Sequence, residues 1–260
     1  MKQTYPLIFG HRGCMGEGYP PENTLAAFKL CLDAGADGIE LDIHASSDGV
    51  LIVHHDTTLE RMTDSTLIIA EHTADAIREH KVDGEIIPTL EETFELITPY
   101  LIENPDFILN IELKSEDTAH ALYRFLDQHM GQNNCSYHNI IVSSFDHGLL
   151  KEIYKQNDAI PIGVLFEEAE TNSVDEIINR LEYTPFSIHP PYQLCTADYL
   201  RQLQEYPIRC IPWAVDYDQE HNPRNVDLFL KEIDLLNFYG LITDFPDSYA
   251  LIRQNLLSAS

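Results

Sequence analysis

Residues 7–44 read LIFGHRGCMGEGYPPENTLAAFKLCLDAGADGIELDIH, and the interpretation of the remaining chain builds on this stretch. Two apolar runs, Leu7–Gly10 and Gly38–His44, flank a segment with helical periodicity, Glu22–Ala34. Runs rich in Ile, Leu and Phe are typical of strands that are buried on both faces. Gly35 follows the helical segment, at the position that often ends a helix. The stretch therefore predicts a strand, a helix and a second strand.

The same alternation continues to the end of the chain. Further apolar runs are Phe107–Lys114, Asn139–Phe145, Pro161–Phe166, Phe186–His189, Ile208–Val215 and Gly240–Asp244. Further helical segments are Leu90–Glu103, Asp117–His129, His147–Gln156, Val174–Leu181, Ala197–Gln204, Arg224–Leu235 and Asp247–Leu256. Eight strand-then-helix units in 260 residues match the (β/α)8 TIM barrel, whereas a doubly wound sheet more often has five or six strands. Because no linker or change of composition divides the chain, we expect a single catalytic domain over residues 1–260.

One irregularity follows the second predicted strand. Asp48-Gly49 is a turn signal, and the apolar run Leu51–Val53 after it predicts a strand that returns as a hairpin. The hairpin would bring His55 back to the rim of the barrel. Residues 57–87 then form the longest stretch without a barrel element, and we interpret them as a small excursion over the site.

The composition narrows the classes of function. The net charge is −27, with no basic stripe to offset it, which argues against binding to nucleic acid or to an anionic membrane. No segment approaches the roughly 20 apolar residues of a membrane span, and the N-terminal apolar run is too short for a signal peptide. The expectation is a cytoplasmic protein without stable membrane insertion, while its oligomeric state stays open.

The cysteines are not arranged as a framework of disulfides. There are five, an odd number, and none stands in a Cys-x-x-Cys pair. We expect reduced thiols and no thiolate zinc site. Cys14 follows the His11-Arg12-Gly13 motif, but a small residue filling a loop is a better interpretation of it than a nucleophile.

Charged residues lie two positions apart on two of the predicted strands, so each pair leaves one face of its strand. The pairs are Glu40 with Asp42, and Glu112 with Lys114 on the next barrel strand. Three carboxylates in a partly dry cleft repel one another unless a divalent cation neutralises them. Oxygen ligands favour Mg²⁺ or Ca²⁺, or else Mn²⁺, over Zn²⁺. The alternative is that both are amphipathic strands whose acids are exposed to solvent. This alternative is less favoured because the barrel topology makes the two strands neighbours.

Two histidines, two cations and an aromatic residue belong at the same rim. His11 ends the first strand and His55 ends the hairpin strand. Barrels of this kind have their active sites at the carboxyl ends of the strands. Imidazole can donate or accept a proton near neutral pH. Arg12 and Lys114 suit phosphate oxygens, although both can equally serve as salt-bridge partners of the acids. The full set of candidate side chains is His11, Arg12, Glu40, Asp42, His55, Glu112, Lys114 and Trp213, and His44 is a weaker candidate ligand.

An ordered series of motifs resembles the glycerophosphodiester phosphodiesterases. The series consists of His11-Arg12-Gly13, Pro21-Glu22-Asn23-Thr24-Leu25-Ala26-Ala27-Phe28, Gly35-Ala36-Asp37-Gly38-Ile39-Glu40-Leu41-Asp42, Asp48-Gly49-Val50, His55-Asp56-x-x-Leu59-x-Arg61-x-Thr63, Ile87-Pro88-Thr89-Leu90-Glu91-Glu92, Glu112-Leu113-Lys114, Ser144-Phe145, Trp213 and Ile242-Thr243-Asp244-Phe245-Pro246. It covers nearly the whole chain, and its order is far more specific than any single piece.

The resemblance implies a TIM barrel that hydrolyses glycerophosphodiesters to sn-glycerol 3-phosphate and an alcohol with the help of a divalent cation. It implies that His11 and His55 are the acid–base pair. It also implies that the metal ligands are Glu40, Asp42 and Glu112, and that the phosphate contacts are Arg12 and Lys114. The sequence departs from the family in a longer loop between His11 and Glu22 and in Asp216, where the family often has Asn.

Two rival functions remain at this stage. A phospholipase D-like or lysophospholipase D-like activity on the same barrel would require an apolar channel beside the mouth. A non-catalytic phosphodiester-binding protein would have no need of two proton-transfer groups, so the presence of both His11 and His55 argues against it.

Overall fold

Eight parallel strands form a nearly closed barrel in the computed structural model, which describes residues 5–131, 135–167, 173–216, 225, 229 and 238–259. The strands in chain order are β1 Leu7–His11, β2 Gly38–Ala45, β3 Leu51–Val53, β4 Lys81–Val82, β5 Glu85–Ile86, β6 Ile108–Leu113, β7 Ile140–Ser144, β8 Ile162–Leu165, β9 Ser187–His189, β10 Arg209–Cys210 and β11 Gly240–Thr243. The sheet order is β10-β9-β8-β7-β6-β2-β1-β11. Backbone hydrogen bonds from Tyr239 to Cys210 (3.0 Å) and from Ile242 to Pro212 (2.9 Å) connect the two ends of this order. The predicted TIM barrel is confirmed.

Helices cover the outside of the barrel. They are α1 Leu25–Asp33, α2 Ala74–Arg78, α3 Leu90–Glu103, α4 Glu116–His129, α5 His147–Gln156, α6 Val174–Leu181, α7 Ala197–Leu203 and α8 Pro246–Ala259. Three of them, α3, α5 and α6, have the bounds that the sequence predicts. The predicted helix Arg224–Leu235 lies outside the described residues except for positions 225 and 229. Within the described ranges, no helix is both long and apolar enough to cross a bilayer.

Helix α1 begins three residues later than predicted, for a reason that matters to the site. Thr24 is the N-cap, and its hydroxyl accepts a hydrogen bond from the Ala27 amide at 3.2 Å. Asn23, just before it, has a left-handed backbone with φ of 55°. Glu22 and Asn23 therefore belong to a turn outside the helix, which leaves their side chains available to the barrel mouth.

Alternating residues on the strands divide the core into an inner and an outer part. Phe9, Ile108, Ile141, Ile211 and Ile242 form one buried cluster, separate from the large cluster that packs the strands against the helices. The next inward positions toward the carboxyl ends are polar, since His11 pairs in register with Glu40, and Glu40 with Asn110. The inner apolar cluster thus closes the barrel below a polar layer.

The predicted hairpin is present, and a segment with its own small buried cluster follows it. β3 pairs antiparallel with β2, with Ile43 opposite Val53. Residues 57–87 contain α2 and the β4–β5 hairpin, and they pack around a second buried cluster consisting of Ile52, Leu59, Ile69, Ala74, Ile77, Val82 and Ile87. We refer to this cluster as the small core.

The small core predicts a cost for truncating its centre. Leu59 is fully buried there, so Leu59→Ala is expected to lower the free energy of unfolding by about 2–5 kcal/mol through lost burial and a residual cavity. Urea unfolding followed by circular dichroism measures the change. Leu251→Ala, which alters a side chain that is 60% exposed, is the matched control. Equal stability of the two variants would contradict the prediction.

Candidate active site

A cavity of about 200 Å³ opens where the barrel strands end. It is lined by His11, Arg12, Glu40, His55, Asn110, Glu112, Lys114, Phe145, Leu165, Glu167, Trp213 and Ile242. Seven of the eight residues proposed from the sequence are in this lining. The eighth, Asp42, is 1% exposed and lies against the same group of acids. Among the eight proposed residues, the barrel therefore brings together side chains that are up to 202 positions apart, the separation of His11 and Trp213.

The three predicted acids form one compact group. Glu40, Asp42 and Glu112 are all buried, and each offers an oxygen that lies within 4.8 Å of the oxygens of the other two. The register explains this proximity, because Asp42 on β2 stands directly opposite Glu112 on β6. Both acids on β2 face inward because they are two positions apart.

The charges in this group are unequal. Burial, together with the charge of Asp42, raises the pKa of Glu40 to about 7 and that of Glu112 to about 8. Asp42 behaves in the opposite way. Although burial raises its pKa, the charges of Lys114 and Arg12 outweigh burial and hold it well below the usual range. Asp42 is therefore the carboxylate that stays ionised. Glu40 and Glu112 take up protons more readily, which reduces the repulsion within the group.

Both cations of the site are bonded to these acids. Lys114 Nζ lies 3.0 Å from Asp42 Oδ1 and also donates to Glu112. Arg12 Nη1 donates to Glu22 Oε1 at 2.8 Å, and its Nε lies 3.2 Å from Asp42 Oδ2. Each side chain keeps 14% of its surface exposed and lines the cavity. Salt bridging to the acids, one of the two interpretations from the sequence, is thus present.

The His11-Arg12-Gly13 turn is held in a strained conformation. Arg12 has a φ of 51°, in the left-handed region that costs energy for a residue with a side chain. A Cβ at Gly13 would lie 2.8 Å from the backbone of Ala27, so only glycine fits there. The turn directs the Arg12 amide onto Glu40 Oε2 at 3.1 Å and its guanidinium into the mouth.

Each candidate histidine is hydrogen-bonded to a carboxylate through Nδ1. His11 Nδ1 donates to Asp244 Oδ1 at 2.7 Å, and His55 Nδ1 donates to Asp56 Oδ1 at 2.6 Å. This arrangement selects the ring orientation and leaves Nε2 of each imidazole for proton transfer. Asp244 and Asp56 had no role in the predicted site, although both stand in the quoted motifs.

The environments of these histidines differ. For His11, burial lowers the pKa, but the hydrogen bond to Asp244 and the charge of Glu40 outweigh burial, and the pKa is raised. For His55, burial dominates and the pKa is lowered, even though Asp42 and Asp56 act against it. At the same pH, His11 is consequently more protonated than His55.

Asp216, the departure from the family pattern, supports the His11 side of the site. It is 4% exposed and accepts hydrogen bonds from Thr243 Oγ1 (2.5 Å) and the Asp244 amide (2.8 Å). Burial raises its pKa to about 6. Both of its oxygens are therefore bonded to the end of β11, next to the partner of His11.

His44 and Cys14 are outside the reacting part of the site. His44 Nε2 donates to the carbonyl of His55 at 3.1 Å, so its ring supports the backbone of that residue, and it is not a member of the acidic group. Cys14 is fully buried and is a free thiol, as are the other four cysteines. Both observations agree with the structural interpretation of these residues.

An aromatic pair forms part of the cavity wall. Trp213 Nε1 donates to the carbonyl of His189 at 3.1 Å, which fixes the indole. The ring of Phe145 meets it edge-on, with centroids 6.1 Å apart. The lining thus combines charged groups with aromatic surface.

Asn110 is a member of the cavity that the sequence interpretation missed. It is 1% exposed and stands opposite Glu40 in the register, and its amide nitrogen and oxygen both lack a hydrogen-bond partner among the described residues. A buried amide without partners is unusual and implies a ligand or solvent. Three buried oxygen donors beside it form a donor set that fits a hard divalent cation.

Comparisons with known proteins agree with this geometry. The model of the glycerophosphoryl diester phosphodiesterase family matches residues 11–248. A glycerophosphodiester phosphodiesterase from Caldanaerobacter subterraneus subsp. tengcongensis is 31% identical over 253 residues, which cover 93% of this chain and 95% of the relative. One from Bacillus altitudinis is 28% identical over 262 residues, covering 96% of this chain and 98% of the relative.

Solved structures share the fold. The glycerophosphodiester phosphodiesterase from Thermotoga maritima superposes with a TM-score of 0.76 at 30% identity, covering 96% of this chain and 100% of the other. An Oleispira antarctica phosphodiesterase, solved with the product sn-glycerol-3-phosphate, has a TM-score of 0.78 at 22% identity and coverages of 96% and 97%. Because the family model spans most of the sequence, from His11 through the last strand, this chain belongs to the glycerophosphoryl diester phosphodiesterase family.

Proposed function

We propose that this protein hydrolyses glycerophosphodiesters to sn-glycerol 3-phosphate and an alcohol. The observation that carries the proposal is a single cavity that contains two histidines, each bonded to a carboxylate through Nδ1, next to a compact group of three acids and two cations. The naming of the 31% identical relative and the product bound by the Oleispira antarctica phosphodiesterase support the choice of substrate.

A divalent cation, Mg²⁺ or Ca²⁺ with Mn²⁺ as a further candidate, would be held by Glu40, Asp42 and Glu112. When bound, it would supply a Lewis acid for a phosphate oxygen and cancel the repulsion among the carboxylates. Asn110 stands beside this set, and its unpartnered amide can orient a ligand there.

Arg12 and Lys114 would contact the phosphate. Both line the cavity and already carry their charge next to the acids. As negative charge builds up on the phosphorus oxygens in the transition state, donors fixed in this position stabilise it without reorganising. The protein has a net charge of −27, so these two side chains, together with a bound cation, would have to offset its repulsion of an anionic diester.

The two histidines would divide the proton transfers. His55, whose pKa is lowered, is suited to take a proton from the attacking hydroxyl of water or of the glycerol moiety. His11, whose pKa is raised, is suited to protonate the departing alkoxide. Trp213 and Phe145 would contact the carbon skeleton of the substrate.

Turnover of glycerophosphocholine tests the function itself. Release of sn-glycerol 3-phosphate is expected in the presence of Mg²⁺ or Ca²⁺ and is expected to stop after treatment with EDTA. A parallel assay with lysophosphatidylcholine addresses the lysophospholipase D-like rival. Tight binding of the diester without product, or faster hydrolysis of the lysophospholipid, would refute the proposal.

The division of roles predicts a bell-shaped pH profile of kcat/KM. Activity requires neutral His55, whose lowered pKa places the acidic limb below the ordinary value of 6.5, and protonated His11, whose raised pKa places the alkaline limb above it. His55→Ala and His11→Ala are each expected to cost about 10²- to 10⁴-fold in kcat and to remove their own limb. Loss of the opposite limb would reverse the assignment, and near-normal kcat in either variant would end it.

Cation binding has a readout that is independent of activity. Isothermal titration with Mg²⁺ and Ca²⁺ is expected to show affinity that falls as the pH is lowered, because Glu40 and Glu112, with pKa values of about 7 and 8, must lose their protons to coordinate. Glu112→Gln should weaken binding by about tenfold or more. Glu95→Gln, an exposed residue of α3, is the control. Unchanged affinity in Glu112→Gln would exclude the acidic group as the cation site.

A further inference from the structure

Arg61, in the segment 57–87, clamps two carboxylates with one guanidinium. Its Nε donates to Asp56 Oδ2 at 2.6 Å. Its Nη1 and Nη2 donate to the two oxygens of Glu22, at 3.0 and 2.7 Å. All three nitrogens are therefore bonded to acids that come from separate parts of the chain. A planar fork of donors can do this, whereas the point charge of a lysine cannot.

Each of the two clamped acids also bonds a residue that lines the cavity. Asp56 Oδ1 accepts the hydrogen bond from His55 Nδ1, and Glu22 Oε1 accepts the one from Arg12 Nη1 at 2.8 Å. A continuous series of hydrogen bonds thus connects the imidazole of His55 with the guanidinium of Arg12, both of which line the cavity. Arg61 is its central member.

The backbone around Arg61 is fixed by the small core. Leu59, two positions earlier, is fully buried in that cluster. Its carbonyl accepts hydrogen bonds from the amides of Met62 (3.2 Å) and Thr63 (2.9 Å), which closes a turn around Arg61. Among the described residues, the lining of the cavity includes no member of 57–87, so the excursion lies beside the site and reaches it through this side chain.

The clamp also fixes the charge of both acids. Although burial raises the pKa of Asp56, its hydrogen bonds with Arg61 and His55 and their charges together outweigh burial and lower the pKa to about 2. The pKa of Glu22 is lowered in the same way, against burial, by Arg61 and Arg12. An ionised Asp56 can only accept hydrogen bonds, so it holds His55 as the Nδ1–H tautomer.

An ordinary surface ion pair would have no such effect. Exposed pairs contribute little because water screens them and their side chains are free to move. The Arg61 side chain is 44% exposed, but its partner Glu22 is only 9% exposed and is shared with Arg12. The bidentate geometry and the shared acid distinguish this network from a solvated pair.

We propose that Arg61 is a positioning residue of the active site, which holds His55 through Asp56 and Arg12 through Glu22. Arg61 therefore connects the segment 57–87 to the proposed reacting groups. The inference rests on the proposed function, since it uses the roles proposed for His55 and Arg12.

The decisive experiment replaces the guanidinium of Arg61 once with its charge kept, by lysine, and once without the charge, by glutamine. Arg61→Lys and Arg61→Gln are both expected to lower kcat/KM for glycerophosphocholine by about 10- to 100-fold, as is common when the partner that orients a functional side chain is removed. Arg201→Gln, which removes an exposed bond to Asp198, is the matched control and should stay within about twofold of the wild type. Wild-type activity in Arg61→Lys would show that charge alone suffices and would overturn the proposal, as would wild-type activity in Arg61→Gln.

Two further variants separate the arms of the network. Asp56→Asn is expected to lower mainly kcat, because it affects proton transfer by His55. Glu22→Gln is expected to raise mainly KM, because it affects the phosphate contact of Arg12. If Arg61 acts through these acids, Arg61→Gln costs much less in the Asp56→Asn/Glu22→Gln background than in the wild type. Costs that multiply independently would overturn the proposal.

Controls for folding and for the function complete the test. Thermal melting is measured for every variant, because a purely structural role would lower Tm and leave kcat and KM of the folded protein unchanged. If Arg61→Gln does not fold, Arg61→Lys carries the test alone. Active wild type with unaffected Arg61 variants would overturn this inference only, whereas wild type without turnover of any glycerophosphodiester would overturn the proposed function and this inference together.

Discussion

The concentration of buried negative charge at the mouth of the barrel is the constraint on which the site depends. Glu40, Asp42 and Glu112 lie too close together in a region of low dielectric for all three to be ionised without compensation. Arg12 and Lys114 provide part of it, and they keep Asp42 ionised while Glu40 and Glu112 remain easily protonated. A cluster of this kind would be a liability in a purely structural protein. A bound divalent cation, as proposed, would compensate this excess of negative charge.

Local backbone geometry serves this charge cluster. The left-handed conformation of Arg12 and the tight packing of Gly13 against α1 turn the guanidinium toward Asp42. Asn23, in the turn before α1, donates to Asp42 Oδ2 at 2.8 Å. Arg12 and Asn23, which belong to two neighbouring motifs, are therefore both positioned to contact the carboxylate of Asp42. Strain in the turn is offset by the ion pairs and hydrogen bonds that the turn makes possible.

The closure of the barrel completes the other half of the site. Asp244 reaches His11 only because β1 pairs with β11, where Gly10 stands opposite Thr243. Asp216 then ties the end of β11 in place. His55 is held by Asp56, which follows it directly in the chain. The two imidazoles thus have the same local arrangement but different charged neighbours: the hydrogen bond to Asp244 and the charge of Glu40 outweigh burial and raise the pKa of His11, whereas burial prevails and lowers the pKa of His55.

The sequence by itself determined the order of the barrel strands and singled out the ionisable residues that the barrel mouth brings together, because burial patterns, helix caps and paired ionisable residues are local properties. It predicted α3, α5 and α6 to the residue. It predicted too long a seventh barrel strand: of Ile208–Val215, only Arg209–Cys210 is a regular strand. Pro212, which has no amide hydrogen, and the left-handed Ala214 interrupt the ladder beyond it, where an isolated bridge pairs Trp213 with Pro191. Only the tertiary structure decided which acid each histidine bonds, that Asn110 has no hydrogen-bond partner among the described residues, and that Arg61 connects the acids bonded to His55 and Arg12. These facts depend on distances between residues far apart in the chain, and strand register and barrel closure set those distances.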